Sequence, residues 1–200
     1  MPEPRRVFLF SGHMIDAEGR ATPRFPPDKE PIAAAAIASA LDAVGAAAGD
    51  LGITEGACGG DLLFAEAMLE RGASLDLHLP FDEATFLRES VAFEKAASVS
   101  ADRWRERFLT VSRHPRVRRR IMADVLGPTP EDASPYERCN LWMLEDALAF
   151  GAEKLCLICL WDGRGGDGPG GTRHMVEEVR RRGGQTRWLD TNQLWGANKQ

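Results

Sequence analysis

Long hydrophobic runs are missing from this chain of 200 residues. Its two longest apolar stretches, 31–41 and 155–161, fall far short of the ~20 residues that a membrane-spanning helix requires. The apolar stretch near the N-terminus, 7–10, is too short for the core of a signal peptide. Without an export signal, the four cysteines favour free thiols in a reducing compartment. We therefore expect a cytoplasmic protein that makes no contact with a membrane.

An excess of basic charge is also missing. The chain has 25 Lys and Arg residues against 30 Asp and Glu residues, a net charge of -5, which disfavours a surface built wholly for nucleic acid. The hydrophobic fraction of 44% and the charged fraction of 28% are typical of a globular chain. Because a typical domain has roughly 150 residues, we expect one domain that spans residues 1–200.

Strand patterns alternate with helix patterns along the chain. Strands are predicted at 6–10, 51–54, 74–79, 154–161 and 186–190, and helices at 31–44, 62–71, 137–150 and 172–182. This alternation predicts an α/β fold, a Rossmann-like three-layer sandwich with a mainly parallel sheet. The segment 82–135 is predicted to be a helical, Arg-rich insertion, with helices at 82–94 and 102–113.

Polar or glycine-rich segments follow four of the predicted strands. In a parallel sheet these segments gather at the carboxyl edge, where open α/β folds bind ligands. Two of them, 55–61 and 161–172, are rich in glycine and lead into a helix, whose N-terminus attracts phosphate. A further helix start supplies an aromatic ring that would stack on a base and an amide that would read its edge. The predicted ligand-binding residues are Ser11, Gly12, His13, Gly56, Ala57, Gly59, Gly60, Asp61, Pro80, Phe81, Tyr136, Arg138, Asn140, Trp161, Asp162, Gly163, Gly168, Gly170, Gly171 and Thr172.

Several familiar motifs are absent. Neither glycine-rich segment fits the dinucleotide pattern G-x-G-x-x-G or carries the Gly-Lys-Ser/Thr of a P-loop. No two of the four histidines have the i, i+4 spacing of a helical metal site. Cys156 and Cys159 are predicted to lie within one strand, where residues three apart point to opposite faces. We expect no metal site and no resident cofactor.

Three segments resemble the SLOG superfamily: Glu55-Gly56-Ala57-Cys58-Gly59-Gly60-Asp61-Leu62-Leu63-Phe64-Ala65-Glu66, Leu79-Pro80-Phe81 and Gly168-Pro169-Gly170-Gly171-Thr172. That group joins the Smf/DprA proteins, the Lonely Guy phosphoribohydrolases and the N-terminal domains of melastatin-type TRP channels. The chain is similar to bacterial members that occur alone or beside signalling domains. The resemblance spans 7–190 and is weakest at 98–135. It implies a Rossmann-like fold, a nucleotide or nucleotide-derived ligand held at two glycine-rich loops, and a homo-oligomer.

The resemblance leaves open whether that ligand is cleaved. Lonely Guy enzymes hydrolyse an N-glycosidic bond with the loop Pro-Gly-Gly-x-Gly-Thr-x-x-Glu. Here two residues between the glycine pair and Thr172 are missing, and Glu177 lies five residues after the threonine instead of three. This departure favours a binding or sensing role without turnover. The alternative is an N-glycosidase that acts on a nucleoside monophosphate or a related ribosyl compound, with Asp61, Glu66 and Glu177 as the candidate catalytic acids.

The segment 103–120 contains eight arginines and a single acid, with Trp104 and Phe108 interleaved. A solvated cationic helix face is the simplest interpretation. The segment could instead cover the ligand site and neutralise a polyphosphate. A third interpretation is a patch that binds single-stranded nucleic acid, which the acidic remainder of the chain disfavours.

Overall fold

Continuous runs of apolar residues build the centre of a six-stranded parallel sheet. The structure is a computed structural model that describes residues 3–92, 98–164 and 171–196. Its strands are β1 (Val7–Gly12), β2 (Leu51–Thr54), β3 (Ser74–Leu79), β4 (Val117–Ile121), β5 (Leu155–Trp161) and β6 (Gln185–Asp190). The strand order is β4-β3-β2-β1-β5-β6, and every neighbouring pair is parallel. The predicted α/β fold with a Rossmann-like parallel sheet is confirmed.

Helices connect the strands. They are α1 (Glu30–Ala43), α2 (Gly60–Glu70), α3 (Glu83–Phe86), α4 (Ser98–Ser112), α5 (Met122–Leu126), α6 (Pro135–Leu148), α7 (Thr172–Arg181) and α8 (Thr191–Leu194). A π-helix over Leu87–Val91 continues α3. Proline stands in the first turn of α1 and of α6, where its missing N–H breaks no hydrogen bond. In the part of the chain that the structure describes, no helix combines the length and apolar character needed to cross a bilayer.

Apolar layers cover both faces of the sheet. In β1, Phe8 and Phe10 belong to one buried cluster, whereas Val7 and Leu9 belong to the other, as the two-residue period of a strand requires. The first cluster includes side chains of α1, α2 and α4, and the second includes side chains of α6 and α7. The same alternation places Cys156 in the first cluster and Cys159 in the second, so these two cysteines point to opposite faces, as predicted.

One strand, β4, was not predicted from the sequence. It lies at the edge of the sheet, pairs with β3, and has the sequence Val-Arg-Arg-Arg-Ile. The segment 82–135 is therefore not wholly helical, because it contains this strand as well as α3, α4 and α5. Charged side chains are common on edge strands because they discourage pairing with another chain. The arginines that suggested a cationic helix thus belong in part to the sheet.

Candidate functional site

The direction in which strands are added to the sheet reverses between β1 and β5. From β1 the chain builds outward through β2 and β3 to β4, and it then returns to place β5 on the other side of β1. The loops after β1 and β5 therefore separate, and the crevice between them is where open α/β sheets bind ligands. The backbone N–H of His13 donates to the carbonyl of Leu160 over 3.0 Å, which keeps the two strand ends together.

A cavity of about 560 Å³ opens at this edge, within the range of sites for small molecules. We call it the first chamber. Its wall combines residues after β1 and β2 with residues from the starts of α6 and α7. They are Phe10, Ser11, Gly12, Met14, Glu55, Ala57, Asp61, Ser90, Ser134, Tyr136, Asn140, Met143, Gly171 and Thr172.

A second chamber of about 360 Å³ adjoins the first. The two share Gly12, Met14, Gly171 and Thr172, so the start of α7 borders both. The remaining wall of the second chamber is more strongly charged than that of the first. It consists of His13, Ile15, Asp16, Ala17, Arg20, Arg24, Glu89 and Trp161.

A close backbone crossing holds the loop after β1 against the start of α2. The N–H of Ile15 donates to Cys58 over 3.2 Å, and the N–H of Gly60 donates to His13 over 3.1 Å. Gly59 lies at this crossing with a φ of 101°, and a Cβ there would stand 2.6 Å from the nitrogen of Ile15. Glycine is therefore required at position 59 for the two segments to approach each other.

Two buried carboxyl groups face the first chamber. Asp61 and Glu55 are each 8% exposed, and the Oδ2 atom of Asp61 accepts hydrogen bonds from the N–H groups of Gly56 at 3.2 Å and Ala57 at 3.3 Å. Burial raises the pKa of Asp61 to about 7, even though these hydrogen bonds act in the opposite direction. Burial and the neighbouring charge of Asp61 raise the pKa of Glu55 well above its usual range. The first chamber thus holds a carboxyl group, that of Asp61, that can donate or accept a proton near neutral pH.

The other walls of the first chamber carry hydroxyl, aromatic and amide groups. The Ser11 hydroxyl donates to Thr172 over 3.1 Å, which ties the end of β1 to the first turn of α7. The Tyr136 hydroxyl lies 3.1 Å from that of Ser90, and the Tyr136 ring packs edge-on against Phe81. Burial raises the pKa of Tyr136. Asn140 lies one helical turn further along α6 and also lines the chamber.

His13 and Trp161 line the second chamber. The Nε2 atom of His13 accepts the backbone N–H of Asp162 over 3.1 Å. Burial lowers the pKa of the ring, and the carboxylate of Asp162, 3.4 Å from Nε2, acts in the opposite direction. The indole of Trp161 donates to the carbonyl of Arg164 over 2.7 Å. The carboxylate of Asp162 accepts the N–H of Arg164 over 3.0 Å, so it helps to shape its own loop.

Three predicted site residues have other partners. The guanidinium of Arg138 donates to carbonyls at the end of α5, among them those of Gly127 and Pro128 at 3.0 Å each. Glu66 pairs with Arg107 over 2.7 Å, and Glu177 pairs with Arg173 over 3.0 Å on an exposed face of α7. The structure does not bring these three side chains to either chamber.

The remaining predicted residues that the structure describes do not line either chamber. These are Gly56, Gly59, Gly60, Pro80, Phe81, Asp162 and Gly163. The predictions for Gly168 and Gly170 fall on residues outside those that the structure describes. Conversely, sequence reasoning did not select the wall residues Glu55, Ser90, Arg20 and Arg24. Glu55 directly follows β2, the same kind of position that identified Ser11 after the predicted strand 6–10, whereas the arginines lie in a segment without a pattern.

No protein-family model matches this chain, and no curated protein matches it at a significant level. Within 3–92, 98–164 and 171–196, no group of three or more His, Cys, Asp or Glu side chains is arranged to hold a metal ion.

Proposed function

We propose that the protein binds a nucleotide or a nucleotide-derived small molecule in the two adjoining chambers. The observation that carries this proposal is the position of the chambers, at the carboxyl ends of β1 and β5 with the start of α7 on their shared wall. Helix starts next to a strand reversal are where α/β folds hold the phosphates of nucleotides. We assign the role of a sensor or binding module, in which the occupied site biases an assembly or a partner contact.

The first chamber suits the nucleoside portion of such a ligand. The ring of Tyr136 offers an aromatic surface for a base, and the amide of Asn140 lies on the same wall. Carboxyl groups can accept hydrogen bonds from ribose hydroxyls, and those of Asp61 and Glu55 lie on the same wall. A phosphate attached to the nucleoside would then lie beside Gly171 and Thr172.

Thermal unfolding against a panel of nucleotides tests this function. The panel contains AMP, ATP, NAD, ADP-ribose and cyclic nucleotides. A ligand at 100 times its dissociation constant should stabilise the fold by about 2.7 kcal/mol, a rise in Tm of roughly 5–10 °C for a chain of this size. No response across the panel would contradict the proposal.

A pair of amide substitutions locates the response in the first chamber. Asn140→Ala should reduce the rise in Tm because it removes a polar group from the chamber wall. Gln185→Ala is the matched control, since Gln185 is exposed at the start of β6, the opposite end of the sheet from the chambers. If ligand raises the Tm of both variants equally, the ligand does not bind in the first chamber.

The buried carboxyl pair supports a second candidate function, hydrolysis of an N-glycosidic bond. A carboxyl group with a pKa near neutrality is suited to act as a general acid or base, and Asp61 has this property inside the first chamber. Incubation with nucleoside 5′-monophosphates should then release free base. Asp61→Asn should abolish the release, whereas Glu177→Gln should not, because Glu177 is exposed and paired with Arg173. If no monophosphate releases its base, the hydrolytic function is contradicted and only the binding role remains.

We extend the proposal to family, location and assembly. The parallel Rossmann-like sheet and the glycine-rich segment after β2 support membership of the SLOG superfamily. The four cysteines are free and buried, which suits a cytoplasmic protein. A homo-oligomer remains a prediction from the family resemblance, and sedimentation of the protein with and without nucleotide tests it.

A further inference from the structure

The wall of the first chamber carries two acids and no basic side chain. Glu55 and Asp61 lie on this wall, each more than nine-tenths buried. Within 3–92, 98–164 and 171–196, no Lys, Arg or His lines the chamber, and neither carboxyl forms an ion pair. Acids that are buried to this extent are nearly always paired with a positive charge. The described part of the fold leaves the two carboxyl groups without such a partner, and a ligand can supply one.

The titratable groups that face the two carboxyls are neutral. The thiol of Cys139 on α6 hydrogen-bonds to Glu55, and Tyr136 on the same helix lies close to that carboxyl. Cys58, in the loop after β2, neighbours Asp61. Burial raises the pKa of the Cys58 thiol to about 12, and it raises the pKa of Cys139 and of Tyr136 as well. These groups therefore bring no positive charge to the pair near pH 7.

An aromatic ring faces the same chamber. The hydroxyl of Tyr136 lies 3.1 Å from that of Ser90, and its ring packs edge-on against Phe81, so the ring is held in place. A cation over the face of such a ring is attracted by its electrons, most strongly where water is excluded. A cavity of about 560 Å³ has room for a heteroaromatic ring. The chamber is thus suited to an organic cation.

We propose that the first chamber selects a nucleotide whose base carries a permanent positive charge at a quaternised ring nitrogen, either a ribosylated pyridinium or an N-methylated purine. The inference rests on the proposed function, in which the phosphate of the same ligand lies beside Gly171 and Thr172. The ordinary bases are neutral near pH 7 and leave the carboxyl pair without a positive partner. A cationic base favours the ionised form of Asp61, so its binding transfers a proton from this carboxyl to the solvent.

Calorimetric titration of the full chain with matched pairs of probes tests this selection. Nicotinamide mononucleotide contains a pyridinium ring, whereas its reduced form has the same phosphate and ribose with a neutral ring. 1-Methyladenosine 5′-monophosphate is cationic near pH 7, whereas its isomer N6-methyladenosine 5′-monophosphate is neutral. In at least one pair the cationic member should bind at least about 10-fold more tightly. The pair that shows the preference identifies the ring as a pyridinium or a purine.

Proton release gives a second readout. Because the pKa of Asp61 is about 7 in the free protein, part of the population must lose this proton when a cation binds. The binding enthalpy of the cationic probe at pH 7 should therefore depend on the ionisation enthalpy of the buffer, and its affinity should rise from about pH 6 to about pH 8. The phosphate also titrates in this range, but it is common to both members of a pair, so the difference between them reports the carboxyl groups.

Two substitutions locate the effect. Asp61→Asn and Glu55→Gln each remove an ionisable group and keep an acceptor oxygen, and each should reduce the preference for the cationic probe. Asp61→Asn should also reduce the proton release. Asp102→Asn is the matched control, because it makes the same change at an exposed position of α4 and should leave both readouts unchanged. Thermal unfolding without ligand verifies that each variant folds.

The outcomes separate this inference from the proposed function. Equal or weaker binding of the cationic member in both pairs, unchanged in Asp61→Asn, would overturn the cation site and leave the proposed function intact. The cation 1-methylnicotinamide, which has neither ribose nor phosphate, is a further probe. If it binds, if Asp61→Asn abolishes that binding and if no nucleotide binds, the cation site is supported and the proposed function is contradicted. If none of the probes binds, the cation site is overturned, and the thermal panel decides the proposed function on its own.

Discussion

At the scale of single residues, the buried carboxyl of Asp61 makes the stability of the fold depend on pH. In the unfolded chain this group ionises near its usual pKa of 3.8, whereas the folded protein raises its pKa to about 7. Between these two values the folded state binds more protons than the unfolded state, so the free energy of unfolding falls as the pH rises. Asp61→Asn keeps an acceptor oxygen and cannot ionise. Its stability relative to the wild type should therefore increase across this window, by up to about 4 kcal/mol.

Urea denaturation at a series of pH values measures this difference. Glu106→Gln is the control, because it also removes one negative charge but lies exposed on α4. The free energy of unfolding of Glu106→Gln should change with pH in parallel with that of the wild type. If the curve for Asp61→Asn also runs parallel to the wild type, the Asp61 carboxyl is not held in its neutral form by the fold.

Residues at the end of a strand, or in the segment between a strand and the next helix, could be predicted as wall residues from the sequence. Ser11, near the end of β1, and Asp61, at the start of α2, line the first chamber, and Trp161, the last residue of β5, lines the second, because the ends of parallel strands meet at one edge. Arg20 and Arg24 could not be predicted. They reach the second chamber through contacts of their loop with Trp195, which lies at the other end of the chain and has no local signal that links it to them.

At the scale of secondary-structure elements, a cross-strand ion pair joins the edge strand β4 to β3. Arg118 lies opposite Asp76 of β3, and its Nε donates to the Asp76 Oδ1 atom over 3.0 Å. Asp76 is 2% exposed, so Arg118→Ala leaves a buried carboxylate without its cationic partner. We expect a loss of about 1–3 kcal/mol in the free energy of unfolding, measured by urea denaturation.

Arg116→Ala is the matched control, because this exposed arginine lies just before β4 and should change stability by no more than about 0.5 kcal/mol. Neither substitution should change nucleotide affinity, since neither side chain lines a chamber. An Arg118→Ala variant as stable as the wild type would show that the ion pair does not anchor the strand.

Ion pairs of the β4 arginines also explain why this strand escaped prediction. The strands β1, β3 and β5 are recognised by buried apolar residues, which the sequence shows directly. In β4 the central positions are arginines, and the partners that make them suitable for a sheet, Asp76 and Asp146, lie far away along the chain. Charge patterns that depend on distant partners are not visible in a local window of sequence.

At the scale of the whole molecule, strand order decides where the ligand site lies. The alternation of strands and helices predicts a parallel sheet and brings the polar segments to its carboxyl edge, but it leaves the order of the strands open. In the structure β5 pairs with β1 over the full length of β1, from Val7 to Gly12. That pairing creates the reversal and sets the loop after β5 beside the loop after β1. The crevice is therefore a property of the long-range topology and not of either glycine-rich segment alone.

The distribution of charge over the whole molecule also bears on the nucleic-acid alternative. Five of the eight arginines in 103–120 pair with carboxylates, namely Arg103, Arg107, Arg118, Arg119 and Arg120. Most of the positive field of this segment is thus compensated within the fold, in a chain whose net charge is -5. We expect no micromolar binding of a single-stranded oligonucleotide at physiological salt, measured by fluorescence anisotropy.

A salt titration distinguishes a nucleic-acid interface from an Arg-rich segment whose charge is compensated within the fold. If all eight arginines contacted phosphates, the slope of log K against log salt concentration would be about -6, since each contact with a single strand contributes about -0.7. Arg105, Arg113 and Arg116 are exposed and form no ion pair with the described residues, and contacts from these three alone would give a slope no steeper than about -2. A steep slope with micromolar affinity would mean that nucleic acid displaces the ion pairs of α4 and β4, and the Arg-rich segment would then be a nucleic-acid interface and not a part of the scaffold.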